Sequence, residues 1–170
     1  MPEAAAPKKP APPKKPAAPR LSPKLKELDA LLPEAPNPVG SYVPMVQTGN
    51  LLFNSGMIPI ENGQLRYTGT VGSIALPVAV GQQAARLCVL NALAVIKKQT
   101  GSLSKIKRIV KLTGFVSSAP SFYQQPAVIN GASDLLVEYF GEKGKHARSA
   151  VGVTSLPLDA SVEIELIVEI

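Results

Sequence analysis

The last ten residues, "SVEIELIVEI" (Ser161–Ile170), alternate strictly. Val162, Ile164, Leu166, Val168 and Ile170 share one side of an extended chain, and Glu163, Glu165, Ile167 and Glu169 share the other. A period of two over this length predicts a strand with one face on a core and the other polar. Such a strand needs neighbouring strands and something apolar to cover it. The rest of the chain is read for both.

Immediately upstream, "RSAVGVTSL" (148–156) reads as a second strand, joined to the last by a turn containing Pro157. The pattern aims Ser149, Val151 and Val153 at a core and leaves Arg148, Ala150 and Gly152 on the opposite face. One permanent positive charge then stands above a floor with almost no side chain, a space for a small anion. Further back, "IKRIVKLTGFVSS" (106–118) predicts a strand with Val110, Leu112, Gly114 and Val116 on one face. "SYVPMVQTGNLLFNSGMIPI" (41–60) predicts two strands around a Thr48-Gly49-Asn50 turn, and "ENGQLRYTG" (61–69) a second turn with a short strand.

Two helices separate these strands. One runs from Pro77 to a stop at Gly101, with Val80, Ala84, Leu87, Asn91 and Ala94 or Val95 at helical spacing and Lys97 and Lys98 in its last turn. The other covers 125–140, with Val128, Ala132, Leu135, Leu136 and Tyr139 as its stripe and Gly141 as its stop. The order of strands and helices predicts an α+β domain with two helices on one face of a single sheet.

The chain has 170 residues, 45% of them hydrophobic, enough for one domain with a real core. No apolar run approaches the roughly 20 residues that span a bilayer, so no membrane partner is expected. One cysteine, Cys88, excludes an intramolecular disulfide. With a single histidine it also leaves no structural zinc set. The natural reading is a reducing compartment, the cytosol. The net charge of +6 is concentrated at the N-terminus, where residues 1–26 carry seven bases against Glu3. "APKKPAPPKKPAAPR" (6–20) has no large apolar residue and is expected to be disordered or polyproline-like. It lacks the apolar segment of a signal peptide, and its prolines suit a mitochondrial presequence poorly. A short helix follows, capped by Ser22, opened by Pro23 and ended by Pro33, with Leu25, Leu28, Leu31 and Leu32 as its stripe. The expected organisation is a basic tail with a short helix over 1–37 and a folded domain over 38–170.

Among single residues, His146 reads as structural or surface-exposed, and Cys88 as a filler of the helix's core side. Six cations cluster in "KKQTGSLSKIKRIVK" (97–111), but without the exposed aromatics that stack nucleic-acid bases, so a solvated edge is the simpler reading. Arg148 and Glu163, on consecutive strands, are expected near one another across the sheet. They make either a ligand-binding pair, with an anion on the arginine and a water on the carboxylate, or a plain salt bridge.

Four stretches together resemble one family: "VGSYVPMVQTGNLLFNSGMIP", "RIVKLTGFV", "GKHARSAVGV" and "LPLDASVEIELIVEI". The family is Rid, the reactive intermediate deaminases, also called YjgF or L-PSP endoribonuclease-like proteins. The resemblance covers about residues 38 to 170 and is strongest to the branch carrying "HARSAVGV". It implies a chorismate-mutase-like fold and a homotrimer with three intersubunit clefts. It further implies that Arg148 clamps the carboxylate of a 2-imino or 2-aminoacrylate species and that Glu163 activates water. Tyr42, Ser55 and Gly56 match residues lining the cleft, and Asn130 matches a cleft asparagine. No metal or organic cofactor is implied. Ala150 stands where deaminating members often carry cysteine, and "EKGKH" inserts ahead of the arginine, which puts the deaminase reaction in question while leaving the carboxylate site. Two functions are therefore expected: an imine/enamine deaminase releasing a 2-keto acid and ammonia, or a non-catalytic trimeric adaptor tethered by residues 1–26 to an acidic surface such as RNA, a ribosome or a cytoskeletal filament. Ribonuclease chemistry has little support, because only one histidine is present.

Overall fold

The computed structural model describes residues 21–36 and 40–170; the basic stretch over residues 1–20 lies outside them. Seven strands and three α-helices are described: α1 (Pro23–Leu31), β1 (Met45–Thr48), β2 (Leu51–Asn54), β3 (Ile60–Glu61), β4 (Gln64–Leu65), α2 (Val78–Thr100), β5 (Arg108–Ser117), α3 (Gln125–Phe140), β6 (Ala147–Val153) and β7 (Val162–Glu169). Five strands form one mixed sheet in the order β1-β2-β7-β5-β6, and β3 with β4 makes a separate ribbon. The ribbon turns on Asn62 and Gly63, both with positive φ, as a two-residue hairpin of this type requires.

β7 lies in the middle of the sheet, antiparallel to β2 on one side and to β5 on the other. Val162, Ile164, Leu166 and Val168 are buried against the helices, as their alternation predicts. β5 and β6 are parallel, and α3 supplies the crossover that a parallel pair needs. α2 carries the central seam of the core through Ala84, Ala85, Cys88, Val89, Ala92 and Ile96. Leu87, expected on that seam, is only partly buried. Gly101 closes α2 in a left-handed conformation (φ 81°) and donates its N–H to the Lys97 carbonyl. By length and composition α2 is apolar enough to cross a membrane, against the reading that no such run exists. Its apolar side chains are spent in the protein core instead.

α1 begins as its cap predicts, with Ser22 Oγ accepting from the Leu25 N–H at 3.3 Å. Leu28 is fully buried in the common core. Lys97 Nζ lies 2.9 Å from each carboxylate oxygen of Asp29, tying α1 to the end of α2.

Three expectations fail for identifiable reasons. First, β6 and β7 are consecutive but not adjacent, because β5 lies between them. Second, β6 has the opposite facing to the one expected. Ala150 packs toward the core and Val151 is 43% exposed. Gly114, beside Ala150, leaves room for Ile129 of α3, and a Cβ at Gly152 would press on Gln125 and Ser118. The small residues therefore mark the close approach of α3, and no vacancy lies above them. Third, β5 bulges between Ile109 and Lys111, so Ile109, not Val110, enters the core.

Candidate functional site

Arg148 lies on the edge strand β6, level with Leu112 and on the helix-covered face. Its Nη1 donates to Asn130 Oδ1 at 2.7 Å and to Ser133 Oγ at 3.1 Å. Asn130 and Ser133 are three residues apart on α3 and so share one helix face. Both are neutral, and among the described residues no carboxylate forms an ion pair with Arg148. Guanidinium has five N–H groups. The two on Nη1 meet those two oxygens, which leaves the Nε–Nη2 edge, the side-on fork that receives a carboxylate bidentately. The guanidinium is solvent-exposed.

Behind Ser133 stands His146. Its Nε2 is 3.1 Å from Ser133 Oγ and its Nδ1 2.6 Å from the Gly144 carbonyl. Burial pushes the imidazole below its usual range, the Gly144 carbonyl partly offsets this, and the Arg148 cation lowers it again. The ring is therefore neutral at pH 7. A carbonyl only accepts, so Nδ1 carries the proton and Nε2 receives the Ser133 hydroxyl.

Glu163 lies elsewhere. In β7 it is level with Phe115, on the face of the sheet that no helix covers. Half-burial is the main reason its carboxyl sits above the ordinary range, with Glu165 adding like charge. Gly56 packs directly against it, and a Cβ at that position would overlap Glu163 Oε1. Ser55 Oγ donates to the Val43 carbonyl at 2.7 Å, and Ser55 N–H donates to Pro44 O at 3.0 Å. These bonds hold Val43 and Pro44 against Ser55, the neighbour of Gly56, and Tyr42, next in the chain, is 50% exposed.

The predicted site residues thus fall into two groups in one chain. Arg148 and Asn130 meet on the helix-covered side of the sheet edge, and Gly56 meets Glu163 at its open side, with Ser55 beside Gly56 in the chain and Tyr42 beside the Val43 to which Ser55 is bonded. The expected Arg148–Glu163 proximity is overturned. The two side chains point to opposite faces, with β5 between their strands.

The sequence reading missed Ser133 and gave His146 no part. The signal lay in two spacings. His146 and Arg148 are two apart in an extended stretch and point the same way. Asn130 and Ser133 are three apart in a helix and do likewise. Cys88 behaves as expected, whereas the 97–111 cluster does not form a solvated edge, since β5 lies inside the sheet between β7 and β6. Cys88 is a buried core filler whose thiol is pushed well up by burial. In the 97–111 cluster, Lys97 is paired with Asp29, and Lys105, Lys107 and Lys111 bond to Thr100 O, Ile170 O and Ser149 Oγ.

This arrangement sits in a chain whose residues 24–170 match the YjgF/chorismate-mutase-like endoribonuclease family. The chain belongs to the YjgF/Rid family. Protein TCP17 of Trypanosoma cruzi is 43% identical over 152 residues, 89% of this chain and 94% of that one. A 2-iminobutanoate/2-iminopropanoate deaminase of Dermatophagoides farinae is 33% identical, with coverages of 81% and 92%. Among solved structures, a protein of unknown function from Agrobacterium tumefaciens superposes with a TM-score of 0.78 at 53% identity, covering 86% of this chain and 90% of its own. TdcF of E. coli, solved with bound serine, superposes at 0.59 with 27% identity and coverages of 81% and 94%. The α+β architecture, one mixed sheet with its core helices on one face, is the fold of the YjgF/Rid family.

Proposed function

We propose that the protein binds a small 2-imino or 2-keto carboxylic acid between two copies of the chain and hydrolyses the imine to keto acid and ammonia. The observation that carries this reading is Arg148, held by neutral partners only, with its Nε–Nη2 edge turned away from them. A ligand carboxylate completes such a fork. The deaminase relative suggests the substrate class, and a structural neighbour of the same fold was solved with bound serine, a small carboxylic acid, which is in keeping with it.

The second copy follows from the split between the two groups. Neither half holds both a carboxylate clamp and an acid–base group, and they face opposite ways in one chain. A neighbour bringing its open sheet face to the β6 edge would join Arg148 and Asn130 of one protomer to Glu163, Gly56, Ser55 and Tyr42 of the other. Val46, Phe53 and Val151 lie exposed on or beside that open face, apolar surface that an assembly would cover. The family resemblance implies three copies closing on one another.

The chemistry then needs no more than these groups. The enamine tautomerises to the imine. Water adds to the C=N carbon of the protonated imine, giving one proton to Glu163 and leaving a neutral carbinolamine; Glu163 returns that proton to the amine nitrogen, and the C–N bond breaks as the carbinol hydroxyl loses its proton to the departing ammonia, giving the keto acid and ammonium. A carboxyl whose ionisation lies above the ordinary range suits both steps. Gly56 lets the carboxyl stand where it does, since a side chain there would take its place.

The test is keto-acid release from freshly generated 2-iminobutanoate. Arg148→Ala is expected to lower kcat/KM by about a hundredfold or more through lost charge-assisted binding. Glu163→Gln should lower kcat by about a hundredfold, within the range of general acid–base catalysis. An intact wild-type assembly that releases keto acid no faster than buffer overturns the reading.

A further inference from the structure

Resting on the carboxylate clamp just proposed, the geometry points to Ser133 and His146 as its positioning residues. Neither bonds to the ligand in this scheme; together they fix which edge of Arg148 is presented.

The argument is one of proton directions along a hydrogen-bonded row. The Gly144 carbonyl can only accept, so the His146 Nδ1 contact at 2.6 Å places the ring's proton there and leaves Nε2 as acceptor. The Ser133 hydroxyl, 3.1 Å away, must then donate to Nε2. With its proton committed to the ring, Ser133 Oγ offers a lone pair to Arg148 Nη1, while Asn130 Oδ1 takes the other Nη1 proton. Each contact fixes the next, from a backbone carbonyl to the guanidinium.

The consequence concerns entropy and aim. Arginine's long side chain carries about 2 kcal/mol of rotamer freedom. On an exposed edge strand that freedom would be lost at each binding event. The row removes it beforehand and turns the Nε–Nη2 edge outward. Asn130 alone leaves the plane of the guanidinium free to rotate about one hydrogen bond. Two acceptors on one nitrogen set the plane. Ser133 sits one turn along the same helix face as Asn130, and the helix fixes the spacing of the two oxygens. The single histidine of the chain, two residues before Arg148, acquires a use that its composition alone does not reveal.

The experiment titrates the full-length protein with 2-oxobutanoate by calorimetry. Ser133→Ala is expected to raise Kd about tenfold, the scale of one hydrogen bond to a charged group. Ser133→Thr keeps the hydroxyl and should stay within about twofold of wild type. His146→Ala should weaken binding several-fold, and His146→Gln, whose amide oxygen can still accept from Ser133, should recover most of it. A purely structural role would show as a fall in Tm shared by Ala and Thr at 133, with no rescue. Arg148→Ala separates the two ideas. If it abolishes binding while Ser133→Ala and His146→Ala bind normally, the positioning role is wrong and the clamp stands. If Arg148→Ala also binds normally, the clamp itself is wrong.

Discussion

Part-buried between Ser133 and the Gly144 carbonyl, His146 has an environment that gives a sharp pH prediction. Its folded pKa lies below the ordinary imidazole value of about 6.5, chiefly through burial. As pH falls through 6.5, the unfolded chain takes up a proton that the folded chain still refuses. Stability is therefore fully present above 6.5 and declines as pH drops toward the lowered folded value. The charged groups around the ring do not reverse this. Arg148, two residues on, is a cation, and Arg108 of β5 and Lys145 line the same cleft of about 430 Å³ as His146, with Lys145 paired to Glu142. Urea melts at pH 7 and pH 5 should show the wild type losing stability that His146→Gln retains. Equal pH dependence in the two proteins would mean that the ring does not titrate as its surroundings require.

At the level of elements, the site depends on how closely α3 can lie on the sheet and on α2. Gly131 of α3 faces the backbone of Gln82 in α2, and a Cβ there would overlap the Gln82 carbonyl. Neither helix can shift locally to admit it, since Gln82 Nε2 also donates to the Ala127 carbonyl at 2.8 Å. Gly131→Ala should therefore push the helices apart at a cost of about 1–3 kcal/mol, read from chemical denaturation. Gly131 adjoins Asn130, so the same displacement should weaken 2-oxobutanoate binding more than the stability loss alone predicts. α1 is held at the other end of the helix layer by buried Leu28 and the Lys97–Asp29 pair, away from this crossing.

For the whole molecule, the proposed function makes assembly a condition of activity, since the two half-sites face opposite ways in one chain. Phe53 lies on the open face beside Ile167, and 39% of its surface is exposed. Phe53→Glu puts a charge where a neighbouring copy would have to exclude water, and burying an unpaired carboxylate costs several kcal/mol. Light scattering should give the wild type three times the 17.8 kDa chain mass and the variant the single-chain mass. 2-Oxobutanoate binding should disappear with the assembly, although no residue of either half-site has changed. A variant that runs as a single chain and still binds would show that one protomer suffices.

The α+β class, the central alternating strand and both core helices were legible in the sequence, because burial on one face and helical spacing leave periodic marks. The strand pattern alone suggested Arg148 and Glu163 as a pair; the resemblance added the roles expected of them and the matches at Tyr42, Ser55, Gly56 and Asn130. Periodicity has no term for which face of the sheet a helix will cover, or for which strand slips between two consecutive ones. Those were settled by packing: β5 inserts between β6 and β7, and Gly114, Ala150 and Gly152 let α3 settle onto the face that a count of apolar residues assigned to open space. Ser133 emerged for the same reason, since only the docked helix brings its hydroxyl between a histidine and an arginine. The chain alone determined which chemical groups are present; the tertiary fold decided which of them meet, because contact across elements depends on layer order and close approach, neither of which is local along the sequence.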